Sequence, residues 1–300
     1  MALYTKHTEK LYKAALWAGN IVLMLVAVAV SLIYAYHVRT SQIEVKQADF
    51  ISTVESMKSV SQNYLDSERG YVENWAFYIN DRQMTREEAL DFLRSINTNP
   101  GRYVHIVDME NFDAWSASYP AGHDEIDTYH RFQGELKDWE QLMLDAMWEM
   151  YNGTAPKFTV VGRYQLDETV SPAVSVGARI TLQTEDGTKD FLLLRAIPTN
   201  VLQKTWVFPA EYQSAEVGIM TTKGGYVIQS PSMKSISFPE YIRGYNFQDD
   251  YNKMYTLQEE IKQNDSAILR YKNFRGEDCL WYYSSFSDNS DLRILGVVAE

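Results

Sequence analysis

From Ala14 to Tyr36 the chain reads AALWAGNIVLMLVAVAVSLIYAY, 23 residues without a charge. A helix of that length crosses the ~30 Å hydrocarbon layer of a bilayer with some tilt. Trp17 lies near one end of the run, and Tyr34 and Tyr36 near the other, where amphipathic rings favour the headgroup zone. Ala27 and Ala29 have the spacing of a signal-peptide cleavage site. They fall inside the run rather than after it, which favours a retained anchor over a cleaved leader. Lys6, Lys10 and Lys13 precede the run, and such positive flanks tend to stay cytoplasmic. The expected plan is a single-pass protein of the cell membrane: a cytoplasmic leader at 1–13, a transmembrane helix at 14–36, and residues 37–300 outside the cytoplasm.

Charge and cysteine content narrow what the outer part can do. Of the chain's 28 basic and 40 acidic residues, the leader holds three Lys and one Glu, leaving 25 against 39, a net of −14. So acidic a surface argues against nucleic acid or anionic lipid as partner, since both require clustered Lys and Arg. Cys279 is the single cysteine, so there is no internal disulfide and no Cys-rich metal cluster; a buried strand position suits it.

A long juxtamembrane helix is expected over 37–80. Phe50, Val54, Met57, Ser61, Tyr64, Glu68, Tyr71, Trp75 and Tyr78 recur at steps of four and three, which places them on one stripe. The stripe either packs along the protein's own sheets or forms a dimer seam that Ser61 and Glu68 would weaken. A second helix opens at the capping-box pattern Thr85-Arg-Glu-Glu88 and closes near Asn97-Thr-Asn-Pro100.

The pattern then changes to strands. Arg102 to Met109 and Phe112 to Tyr119 read as a hairpin, Asp124 to Tyr151 as a helical run, and Phe158 to Leu166, Ala173 to Leu182 and Phe191 to Ile197 as three further strands. The order starts again at VGIMTTKGGYVIQSP, where Glu216 to Thr222 and Tyr226 to Gln229 flank a tight Lys223-Gly-Gly turn. Helices follow at Pro239 to Tyr245 and Tyr251 to Asn264, then strands at Ala267 to Lys272, Cys279 to Phe286 and Leu292 to Ala299. The chain carries one β-β-α-β-β-β order twice, an α+β architecture repeated without repeated residues.

An anchor, a long helix and two such modules, with the segments VGIMTTKGGYVIQSPSMKS, FPEYIRGYN, YKNFRGEDCLWYYSSF and LRILGVVAE, resemble the double Cache sensor domains of bacterial membrane receptors. The segments are similar to the membrane-proximal half of these domains in hybrid sensor histidine kinases of anaerobic Gram-positive bacteria. The resemblance covers essentially all of 37–300. It implies two PAS-like modules, each with a five-stranded antiparallel sheet: a membrane-distal one at 81–208 and a membrane-proximal one at 209–300. It also implies a ligand-sensing region ahead of a second transmembrane helix and an output domain. The output expected is a histidine kinase, the alternatives a diguanylate cyclase or a chemoreceptor. The partner implied is a small-molecule ligand of unknown class, most often held in the membrane-distal module, and the assembly a homodimer. The Tyr, Arg, Trp and Asp pattern of amino-acid-binding members is not recognisable.

Other classes find less support. There is no G-x-S-x-G elbow, H-E-x-x-H, P-loop or S-x-x-K, so no catalytic centre is expected in 1–300, and no cofactor or metal is assigned. His123, Asp127 and His130 could share a helix face and hold a metal, but they read more simply as a solvated helix start. A surface adhesin would need an exposed apolar patch.

Candidate ligand contacts come from the first module. Arg163, Arg179 and Arg195 fall on its later strands, and Arg195 ends Phe-Leu-Leu-Leu, where an unpaired guanidinium would be costly to bury. Either it pairs with an internal carboxylate or it faces a pocket and grips a ligand carboxylate. Trp115, Tyr119 and Tyr129 would supply apolar walls.

Overall fold

A computed structural model describes residues 2–97, 103–117, 127–154, 173–204, 206–212, 215–230, 233, 235, 237–286 and 291–300. Two units divide the chain, Met1–Phe50 and Ile51–Glu300. Helix α1 (Ala2–Arg82) carries the uncharged run. In the first unit the apolar side chains from Leu16 to Tyr36 are exposed, Trp17, Met24 and Tyr36 among them. Among the described residues it is the one helix long and apolar enough to cross a membrane.

In the second unit α1 buries Val54, Met57, Ser61, Leu65, Glu68, Val72, Ala76 and Ile79. The anticipated stripe holds at Val54, Met57, Ser61 and Glu68 and then slips by one: Val72 and Ile79 are buried, while Tyr71 and Tyr78 are exposed. The cause is helix geometry. Steps of four and three repeat every 3.5 residues, whereas a straight helix repeats every 3.6, so the buried face drifts by ~20° per heptad. Helix α2 (Arg86–Ile96) starts at the anticipated capping box: the Thr85 hydroxyl accepts from the Glu88 N–H, and the Glu88 carboxylate accepts from the Thr85 N–H.

The first module contains β1 (Tyr103–Val107), β2 (Ala114–Ser116), a 3-10 helix (Asp127–Gln133), α3 (Asp138–Asn152), β3 (Ala173–Thr184) and β4 (Gly187–Pro198). Its strands pair antiparallel in the order β2-β1-β4-β3. Among the described residues this sheet has four strands; the fifth expected, at 158–166, lies outside them. The helical run expected over 124–151 is two pieces, because the chain turns at Gly134, whose N–H bonds to the Arg131 carbonyl, before α3 begins.

Strand alternation gives this sheet two faces. Leu192, Leu194 and Ala196 of β4 join Val107, Tyr129, Phe132 and the α3 residues Met143, Met147 and Met150 in one core. The residues between them point the other way, where Arg195 meets Glu68 of α1. At the far end of β3, the Gln183 N–H bonds to the Met84 carbonyl and the Thr181 N–H to Asn80 of α1.

A connection with α4 (Thr199–Gln203) and a short 3-10 turn (Ala210–Tyr212) leads to the second module. The Trp206 indole N–H donates to Ser61 of α1 at 2.8 Å. The module comprises β5 (Glu216–Thr221), β6 (Tyr226–Ile228), α5 (Phe238–Asn246), α6 (Tyr251–Gln263), β7 (Ser266–Lys272), β8 (Asp278–Ser285) and β9 (Leu292–Ala299). Its five antiparallel strands run β6-β5-β9-β8-β7. In the Lys-Gly-Gly turn Gly224 has φ +79°, and a Cβ there would stand 2.5 Å from the Pro239 side chain. The Gly224 carbonyl accepts the Phe238 N–H, so the hairpin also seats the start of α5.

Phe238, Tyr241, Leu257 and Ile261 of the helices pack on Trp281, Tyr283, Leu295 and Val297 of the sheet. Buried Arg293 donates to the carbonyls of Ile261 and Lys262, satisfying the open end of α6. The opposite face meets α1: the Tyr282 hydroxyl donates to Glu55 at 2.7 Å, and Lys58 donates to Ser284 at 2.8 Å. Burial pushes the Glu55 carboxyl up, but hydrogen bonds from Lys58, Tyr282 and Ser284 outweigh it and hold the group below its ordinary range. Each sheet therefore lays one face on α1 and the other on its own helices.

Candidate functional site

The helix-facing side of the first sheet is apolar apart from a few buried polar groups. His105 projects from β1 on the same face as Val107 and opposite Leu194, and its Nδ1 lies 2.8 Å from the Tyr129 hydroxyl of the 3-10 helix. Burial pushes the imidazole down to about 3, so it is neutral, and pushes the Tyr129 phenol up against a smaller opposing effect of Arg131. Ser175 of β3 is 1% exposed, and its hydroxyl has no hydrogen-bond partner among the described residues.

Register puts these groups on one floor. Ser175, Ala196 and Tyr103 form one row across the strands, and Gly177, Leu194, His105 and Ser116 the next. The small side chains at Ser175, Gly177 and Ala196 keep that floor low, and the Met150 sulfur fills the space over Gly177, 2.9 Å from where a Cβ would be. Charge collects at the other end of the same sheet. Arg179 pairs with Asp190 at 3.7 Å, and Lys189 reaches Asp108 and Glu110 at 2.7 and 2.8 Å, bonds that raise its ammonium above the ordinary value.

The structure divides the anticipated contacts between the two faces. Tyr129 and Arg179 lie on the helix-facing side, Arg179 at its exposed end near the Tyr151 ring. Arg195 is on the reverse side, fully buried in an ion pair with Glu68 and 5.4 Å from the Trp75 ring. Trp115, opposite Ile106, shares that reverse side, between Phe191 and the guanidinium of Arg86 at 4.4 Å. Arg163, Tyr119 and His123 lie outside the described residues. His130 bonds to Asp113 at 2.7 Å.

His105 and Ser175 were not anticipated. The available signal was their phase: each alternates with residues of the opposite face within its strand. The corresponding face of the second module is filled by its own rings, with Trp281 5.1 Å from Phe238 and 5.5 Å from Tyr241. The Tyr241 hydroxyl accepts the Phe274 N–H, and burial of the phenol pushes its pKa up to about 12.

No family model matches this sequence, and neither does any curated protein. Solved structures do match. The extracellular domain of a protein designated histidine kinase rpHK1S-Z16 aligns over 86% of this chain and 96% of its own, with TM-score 0.56 and 14% identity. The ligand-binding domain of the Pseudomonas aeruginosa PAO1 amino acid chemoreceptor PctB, in complex with L-Arg, aligns over 84% of this chain and 94% of its own, with TM-score 0.55 and 12% identity. The periplasmic sensory domain of the Campylobacter jejuni chemoreceptor Tlp1 gives the same shares, TM-score and identity. With its two antiparallel sheets and one long helix, this chain has the fold of these extracellular and periplasmic sensor domains of histidine kinases and chemoreceptors.

Proposed function

We propose that this chain is the ligand-sensing region of a membrane-anchored signal-transduction receptor, of the histidine kinase or chemoreceptor kind. The observation that carries the reading is the match over most of the chain to sensor domains of both kinds. The uncovered apolar surface from Leu16 to Tyr36 is suited to a bilayer, and the Lys-bearing leader favours an outward orientation of 37–300. The domain plan set out above, with a membrane-distal module at 81–208 and a membrane-proximal one at 209–300, goes with that orientation.

The ligand is a small molecule held on the helix-facing side of the first module, with Tyr129, His105 and Ser175 as contacts and Arg179 at the rim. PctB in complex with L-Gln and the ligand-binding domain of the Campylobacter jejuni chemoreceptor Tlp3 in complex with L-norvaline support a small-molecule ligand here. Strand β4 connects that site to α1: Leu194 and Ala196 face the site, while Arg195 between them is bonded to Glu68. A ligand that displaces β4 thereby biases the seating of α1, the differential contact that a population shift requires. Homodimerisation along α1 is part of the proposal, supported by the exposed Val60, Tyr71 and Phe77.

Protease added outside intact cells tests the orientation. Digestion of 37–300 with a spared N-terminus is the expected result, and a protected globular part refutes the reading.

A further inference from the structure

The segregation of charge on the first sheet says what kind of molecule the site accepts. At the end formed by Tyr103, His105, Ala196 and Ser175, the described polar side chains are uncharged: a phenol, an imidazole and a hydroxyl, set among Leu194, Phe132 and Met side chains. The charged side chains nearby are paired with counter-charges, among them Arg131, whose guanidinium lies over the Phe132 ring and 3.9 Å from the Met143 sulfur. Arg195 lies on the reverse face with Glu68, Arg179 and Lys189 pair with acids at the far end of the sheet, and Arg131 lies beside Glu140 at 3.7 Å. Burying an ion without a counter-charge costs far more than burying a neutral polar group that finds hydrogen bonds.

We propose that the first module recognises an uncharged small molecule with an apolar body and a hydrogen-bonding group, such as a neutral amide, held between Ser175 and the Tyr129–His105 pair. The inference rests on the reading of this face as the ligand site. Ser175 supplies the second, independent observation. A fully buried hydroxyl that lacks a partner among the described residues is a cost to the unliganded fold, and a ligand that bonds to it recovers that cost. The neutrality of His105 follows from burial, so recognition through it does not change sign across ordinary pH.

The test uses the full chain in lipid nanodiscs and thermal unfolding with matched probes: nicotinamide and benzamide against nicotinate, benzoate and benzylammonium. The expected result is a rise of a few degrees in the midpoint with the neutral amides and none with the ions. That rise disappears in Ser175→Ala and Tyr129→Phe. Without probe, Ser175→Ala is expected to be at least as stable as the parent, because it removes an unsatisfied group, so loss of response in it is not loss of fold. A larger response to the ions that still depends on Ser175 overturns the ligand class and leaves the site standing. A response to the amides that survives both substitutions but is lost in Tyr226→Phe, which removes the buried β6 hydroxyl that lacks a partner among the described residues, moves the site to the second module and overturns the underlying reading as well. Silence toward both amides also overturns the proposal.

Discussion

Replacing one partner of the Glu68–Arg195 pair should unseat the first module from α1. Both side chains are about 1% exposed, and the guanidinium also lies over the Trp75 ring. Arg195→Met leaves a buried carboxylate without its counter-charge, and Glu68→Leu leaves a buried guanidinium in the same state. Either loss costs about 3–5 kcal/mol, whereas replacing both together is neutral or stabilises by about 1–4 kcal/mol, because neither charge then has to be desolvated. For a unit of this size, 1 kcal/mol shifts the midpoint by ~2–4 °C, so each single variant should melt roughly 6–20 °C lower and the double variant near the parent. Tryptophan fluorescence of the full chain in nanodiscs during heating reads this directly. Single variants within a degree or two of the parent, or a double variant as unstable as the two losses summed, would refute the buried-pair account. The double variant also tests coupling: it should bind ligand yet transmit less to α1, measured as a smaller ligand-dependent change in hydrogen exchange of residues 60–80.

The imidazole of His105 is held at about 3 against an ordinary 6.5, so the unfolded chain takes the proton first as pH falls. Its contribution is present above pH 6.5 and is lost between there and about 3, at up to ~1.4 kcal/mol per unit; denaturant titrations should show His105→Gln with a flatter acid limb, and an unchanged limb contradicts the assignment. Burial pushes the Cys279 thiol up to about 11, so alkylation at pH 8 should be slow in the native protein and fast in urea; rapid native labelling counts against the second module's packing. Gly224→Ala forces a Cβ against Pro239 at positive φ and should cost about 1–3 kcal/mol, seen as a lower denaturant midpoint; a neutral result would mean the turn is not seated on α5. Arg293→Met uncaps α6 and should cost about 1–3 kcal/mol for the buried carbonyls it leaves open, measured in the same way; an unshifted midpoint refutes the cap.

Local chemistry made much of the fold legible. The Thr85 capping box, the Lys223-Gly-Gly hairpin and the three closing strands all lie within a residue or two of where their patterns put them, because turn and cap geometry is set by neighbours in sequence. The α1 stripe was half legible. Its second half slipped because a 3.5-residue repeat and a 3.6-residue helix part company over four turns, and only the sheets under Val72 and Ile79 reveal which is followed. Ser61 and Glu68, polar positions in an apolar stripe, are bonded by Trp206 and Arg195, partners more than a hundred residues away that sequence neighbours do not reveal.

The site was less legible for the same reason. From sequence Arg195 is compatible with an internal pair or a pocket contact, because its neighbours do not say which face of β4 is which. The face is fixed by α3 lying on Leu194 and Ala196. His105 and Ser175 carry no motif. Their meaning appears only when β1, β4 and β3 align them across the sheet.

The most direct test of the account is a thermal-shift screen of the full chain in nanodiscs against amino acids, amines, organic acids, sugars and neutral amides. A compound at a hundred times its Kd stabilises the fold by about 2.7 kcal/mol, a shift of several degrees. The account predicts at least one saturable responder whose effect is lost in first-module variants on the α3-facing side and kept in variants of the second module. Silence from every class, or a response indifferent to Ser175, His105 and Tyr129, would contradict it.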